Sequence, residues 1–160
     1  MADKLYAAYG SNLNLRQMSV RCPDAKPVGK AMLKGWQLLF RGVATLEPKA
    51  DAETPVGIWE ITSTDEAALD RYEGFPRLYR KEFTEVVIKG EKVKAMLYLM
   101  NDGLPSMPTK WYLDAIAQGY EDIGLDTVHL TKALEYTKER MKEGKMDWED
   151  EAYDTDKTKG

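Results

Sequence analysis

Histidine and cysteine are almost absent from this chain: among 160 residues there is one of each, Cys22 and His129. A lone cysteine forms no internal disulfide and fits a reducing compartment. With one His and one Cys, a zinc site of the usual ligand types would have to be built mostly of carboxylates, so such a site is not expected. A Ser-His-Asp or Cys-His arrangement would have to use His129, and no nucleophile motif lies near it. Long apolar runs are missing too. The stretch Leu5–Tyr9 is too short for a signal-peptide core, and nothing approaches the roughly 20 apolar residues of a membrane span. A soluble, cytoplasmic protein without a membrane partner is expected. Nor is there a basic excess: 23 Lys and Arg stand against 27 Asp and Glu, a net charge of −4. Residues 143–160 hold seven acids and three bases and account for all of it. A neutral body with an acidic tail argues against nucleic acid as the main partner, because phosphate backbones need a basic face.

What is present is ordinary for a globular protein: 43% apolar and 31% charged residues. The length fits one domain. It is placed over residues 1–142, with residues 143–160 as an acidic, partly disordered tail whose Trp148 and Tyr153 can dock on the body. Leu5–Tyr9 reads as a buried strand ended by Gly10. Asn12 or Asn14 can cap a helix from Leu15 to Val20, stopped by Pro23. Ala31–Arg41 and Val56–Thr62 read as strands, with a bulge at Gly35 and a loop over Val43–Thr54 marked by Pro48 and Pro55. Ser63 and Glu66 form a capping box for a helix through Glu73, stopped by Gly74. Tyr79–Ile88 and Val93–Met100 form a hairpin around Gly90. Lys110–Tyr120 and Thr127–Lys142 are helices, the second with an apolar stripe of Leu130, Leu134 and Met141. This order does not alternate as βαβαβ. It predicts an α+β fold, with a small mixed or antiparallel, barrel-like sheet flanked by helices.

Three groups of residues can carry chemistry. In Tyr9-Gly10-Ser11-Asn12 a strand enters a tight turn and a helix follows. Backbone N–H groups exposed there suit a carboxylate or a developing oxyanion. The same residues also fit a plain strand-to-helix turn with Ser11 and Asn12 as caps. Glu73 closes a helix, where the macrodipole disfavours a carboxylate, beside Tyr72, Phe75 and Pro76. Both effects raise its pKa, as a general acid/base near neutral pH requires. A solvated helix end paired with Arg71, Arg77 or Arg80 fits as well. Tyr98 and Tyr112 are either cavity hydroxyls that orient a ligand or packing residues.

Taken together, Tyr6-Ala7-Ala8-Tyr9-Gly10-Ser11-Asn12-Leu13, Gly57-Ile58-Trp59-Glu60-Ile61, Leu69-Asp70-Arg71-Tyr72-Glu73-Gly74 and Tyr98-Leu99-Met100 resemble the γ-glutamylcyclotransferase family, also called AIG2-like. Pro105–Leu125, with Tyr112, Gly119 and Gly124-Leu125, looks like that family's following helix and loop. The likeness runs from about residue 4 to about residue 140 and omits the tail. It implies a barrel-based mixed fold with the site at its mouth, and no metal or cofactor. It further implies that Tyr9, Gly10, Ser11, Asn12 and Leu13 grip a γ-glutamyl group, that Glu73 is the acid/base, and that Tyr98 and Tyr112 line the cavity. The implied reaction is intramolecular: the α-amino group of a γ-glutamyl amide attacks its own γ-carbonyl, and 5-oxoproline and a free amine leave. The competing readings are a non-catalytic protein that binds a γ-glutamyl-like ligand on the same fold, and an interaction module working through the tail.

Overall fold

Strand β1 (Lys4–Ala8) occupies the middle of the molecule. The computed structural model describes the backbone of residues 4–158 and the side chains of residues 4–144. In it β1 pairs antiparallel with β3 (Val43–Ile61) on one side and parallel with β5 (Glu91–Met100) on the other. The flanking strands are β2 (Lys26–Arg41) and β4 (Tyr79–Ile88), in the order β2-β3-β1-β5-β4. Tyr6, Ala7 and Ala8 are buried in succession, so both faces of β1 are covered. That is why it reads as a continuous apolar run instead of an alternation. The helices are α1 (Leu15–Arg21), α2 (Ser63–Glu73), α3 (Lys110–Ile123) and α4 (Val128–Thr158). Among the described residues no helix is long and apolar enough to cross a membrane.

The α+β class holds, but the sheet is open and does not close into a barrel. β2 and β4 are its edges, and among the described residues no ladder joins them. They approach only locally: a Cβ on Gly29 would lie 3.2 Å from Ile88 Cγ2.

Two local expectations are corrected. Val43–Thr54 is strand, not loop: it pairs with β2 in an antiparallel hairpin from Arg41↔Val43 outward. Only Gly57–Ile61 of β3 also pair with β1, so the Pro48 and Pro55 nitrogens fall where β3 has an unladdered side. The capping box sits one residue earlier than Ser63 and Glu66. Thr62 Oγ1 accepts from Asp65 N–H (3.1 Å), and Asp65 Oδ2 accepts from Thr62 N–H (3.0 Å). Glu66 is instead drawn away to Lys4 and Lys81, at 2.9 and 2.7 Å.

Other signals land as read. The β2–β3 register shifts between Lys34 and Trp36, at Gly35. Gly74 takes the left-handed conformation at the end of α2 (φ 67°), and Gly90 does so in the β4–β5 turn (φ 81°). The expected stripe on α4 holds only in part: Leu130 is buried and Leu134 half-buried, but Met141 is exposed, and the buried face runs through Leu130, Ala133 and Thr137 instead. Thr137 Oγ1 accepts from the N–H of Phe40 at 3.0 Å, which ties α4 to β2. The suggested docking of Trp148 and Tyr153 lies outside the described residues.

Candidate active site

The chain leaves β1 through Tyr9 and Gly10 into a single 3-10 turn, Ser11–Leu13, and then α1. Asn14 caps α1, its Oδ1 accepting from Gln17 N–H at 3.0 Å. Asn12 is therefore free of capping duty; its Nδ2 donates to Tyr6 Oη at 2.9 Å. Trp59 Nε1 donates to the Asn12 carbonyl at 3.1 Å, and Tyr9 Oη donates to the Tyr98 carbonyl at 2.5 Å. The turn is thus pinned to β1, β3 and β5. Leu13 is fully buried and does not line the cavity that Glu73 faces. It packs where Gly57 and Gly119 leave room: a Cβ on Gly57 would lie 2.9 Å from Leu13 Cδ2, and one on Gly119 2.6 Å from the Leu13 carbonyl carbon. Its contribution is to seat the turn.

Glu73, the last residue of α2, faces a cavity of about 290 Å³ that also takes in Tyr9, Gly10, Ser11, Asn12, Tyr98 and Tyr112. The structure therefore brings together every candidate site residue except Leu13. Among the described residues Glu73 makes no ion pair, so the pairing with Arg71, Arg77 or Arg80 does not occur. Burial pushes its carboxyl up to about 7, and Arg21 pulls weakly the other way. Phe75 and Pro76 are not in the cavity wall. Tyrosines dominate the wall instead: six of the nine line this one cavity, with Val43, Ala44 and Leu78.

Most of their hydroxyls are already committed. Tyr98 Oη donates to Asp70 Oδ1 at 2.6 Å and does not hang free in the cavity. Asp70 is in turn held by Lys81 at 2.9 Å. Tyr79 Oη donates to the Ala44 carbonyl (2.9 Å), and Tyr112 Oη accepts from Ala44 N–H (3.1 Å), so both brace the start of β3. Ser11 Oγ and Tyr72 Oη share a hydrogen bond of 2.8 Å across the mouth. Burial raises the phenols of Tyr6, Tyr9, Tyr79, Tyr98 and Tyr112, which stay neutral hydrogen-bonding groups. The cavity thus presents one titratable acid among neutral hydroxyls and backbone N–H groups.

Sequence reasoning missed Tyr6, Tyr79 and Arg21. The Arg21 guanidinium lies 3.4 Å over the Tyr72 ring, and its Nη1 donates to Asn12 Oδ1. Tyr6 alternates with neighbours on a strand buried on both faces, so no periodicity marks the face it lines. Arg21 looks like an ordinary basic residue in a last helical turn. Among the described residues no three His, Cys, Asp or Glu side chains form a metal-ligand group.

Residues 6–117 match the family described as Gamma-glutamyl cyclotransferase, AIG2-like. A Bos taurus protein, Gamma-glutamylcyclotransferase, is 27% identical over 148 residues, covering 84% of this chain and 75% of the bovine one. A solved structure of a Gamma-glutamyl cyclotransferase superposes with a TM-score of 0.73 at 24% identity, covering 87% of this chain and 86% of its own. An uncharacterized human protein superposes with a TM-score of 0.74 at 24% identity, covering 88% of each chain. These two show a shared fold. The family match spans well over half of the residues, so the chain belongs to the Gamma-glutamyl cyclotransferase, AIG2-like family.

Proposed function

We propose that this protein is a γ-glutamylcyclotransferase, releasing 5-oxoproline and a free amine from a γ-glutamyl amide, with Glu73 as general acid/base. The observation that carries this reading is a single unpaired carboxyl, raised to about 7, in the same small cavity as the Gly10–Asn12 turn. The substrate brings its own nucleophile. Its α-ammonium gives a proton to the Glu73 carboxylate, and the freed nitrogen attacks the γ-carbonyl carbon. A C–N bond forms and the carbonyl oxygen becomes an oxyanion. Collapse breaks the original amide C–N bond, Glu73 returns its proton to the departing nitrogen, and the second proton of the attacking nitrogen passes to the released amine, which leaves as an ammonium. A carboxyl near 7 is half protonated at neutral pH and serves both transfers. The Gly10–Asn12 N–H groups hold either the α-carboxylate or the oxyanion. A cavity of this size confines a folded glutamyl chain and supplies the proximity that cyclisation needs.

The test is incubation with a panel of γ-glutamyl compounds and detection of 5-oxoproline. Turnover that disappears when the α-amino group is acylated supports the cyclisation. Cleavage of an N-acylated γ-glutamyl amide would instead indicate hydrolysis, and binding without any turnover would indicate a binding protein.

A further inference from the structure

A second, larger depression lies between α1 and α3 and shares Tyr72 and Tyr112 with the candidate cavity. Both rings line both spaces, and the outer one measures about 1090 Å³ against about 290 Å³ for the inner. We propose that this groove is the subsite for the departing amine, and that it takes a bulky, largely apolar amine bearing a carboxylate. The inference rests on the cyclotransferase reading, in which the glutamyl unit occupies the inner cavity and its amide nitrogen points outward.

Two independent features of the groove carry it. The first is apolar surface without a partner. Val20 and Trp111 are each 80% exposed and Leu15 is 37% exposed, all on the groove wall. An indole left in water beside an open cavity gains by being covered, and ammonia, methylamine or glycine would leave it bare. The second is charge. The groove acids are engaged: Asp114 is held by Lys110 at 3.1 Å, and Asp122 accepts from Leu15 N–H at 3.1 Å and from Gln118 Nε2 at 2.9 Å. The arginines lack an acidic partner: among the described residues neither Arg16 nor Arg21 forms a salt bridge with a carboxylate. Arg21 is fixed at the junction by its stacking on Tyr72 and its bond to Asn12, while Arg16 stands on the exposed wall. Two guanidinium groups beside an aromatic wall match a carboxylate on an aromatic or branched side chain.

The experiment compares γ-glutamylphenylalanine, γ-glutamylphenethylamine and γ-glutamylethylamide. In the wild type, kcat/KM is expected to fall in that order, by about tenfold per group removed. Trp111→Ala is expected to lower kcat/KM for γ-glutamylphenylalanine about tenfold, mainly through KM, and to leave the ethylamide within about twofold. Arg16→Gln should weaken turnover of the phenylalanine compound and spare the phenethylamine one. Equal kcat/KM on all three substrates, or a Trp111→Ala effect shared equally by all three, overturns the groove assignment while leaving the cyclotransferase reading intact. If none of the three yields 5-oxoproline, the cyclotransferase reading fails by itself. Calorimetric binding of γ-glutamylphenylalanine then decides the groove. Binding lost in Trp111→Ala supports it, and absent or unchanged binding overturns it.

Discussion

Glu73 is a carboxyl with two incompatible preferences. Its place among tyrosine rings favours the neutral form, and its work requires the anion. The two can be measured separately. Glu73→Gln keeps the size and removes the proton transfer, so kcat for 5-oxoproline formation should drop by about 10²–10⁴-fold. Stability should move the opposite way. The folded-state pKa, about 7, lies above the unperturbed 4.5, so the folded protein holds this proton more tightly than the unfolded chain does. Wild-type stability is therefore expected to fall as pH rises from about 4.5 to about 7, by at most about 3 kcal/mol, less whatever water at the cavity mouth screens. Glu73→Gln lacks that loss. In parallel urea melts it should be more stable than wild type near pH 8, with the difference vanishing near pH 4. A gap of the same size at both pH values would mean that the carboxyl is not desolvated. The rate profile carries the same signature. Its acid limb should bend near 7, well above the roughly 4.3 of a free glutamate.

At the scale of elements, Gly119 in α3 decides where the Gly10–Asn12 turn sits. Alanine inside a helix normally gains about 1 kcal/mol over glycine. Here its Cβ would stand 2.6 Å from the Leu13 carbonyl carbon and 2.7 Å from the Asn14 nitrogen, both backbone atoms that cannot swing aside. Gly119→Ala is therefore expected to destabilise by about 1–3 kcal/mol and to raise KM for a γ-glutamyl substrate, because the helix can only be relieved by moving the turn. Unchanged melting and KM would show that the turn and α3 are less tightly coupled than the contact implies. This close approach was not readable from the sequence, where Gly119 is simply a glycine within a helical pattern. The elements themselves were mostly legible, since β1, α1, α2 and the β4–β5 hairpin are written in local apolar runs, caps and turn residues. The strand over Val43–Thr54 was not, because its prolines are harmful only if both sides of the strand are laddered, and that depends on how far β1 extends. The site was half legible. The turn and Glu73 lie in motifs contiguous in the chain. The rest of the wall, Tyr6, Tyr79 and the junction residue Arg21, is assembled by strand order and helix placement that no local pattern encodes.

For the molecule as a whole, the attachment of α4 bears on its acidic end. Among the described residues, α4 is held by Leu130, Ala133 and Thr137 in the core and by the Arg140–Glu47 ion pair at 3.3 Å. Truncation after Gly144 is therefore expected to keep both the melting temperature and the rate of 5-oxoproline formation. It removes six acids and three bases, three of the four net negative charges, so salt-dependent solubility is where the loss should appear. A truncated protein that melts many degrees lower would assign the tail a place in the fold.

The pinning of the Gly10–Asn12 turn has a consequence in time. Tyr9 is tied to the Tyr98 carbonyl on β5, and the Asn12 carbonyl to Trp59 on β3, so the segment cannot detach unless the middle of the sheet comes apart. Solvent exchange of the backbone hydrogens in β1 and of the bonded Leu13 N–H should then follow global unfolding, with no faster local opening. A ligand would arrive at a turn already frozen in its working shape, and little conformational entropy would be left for binding to remove.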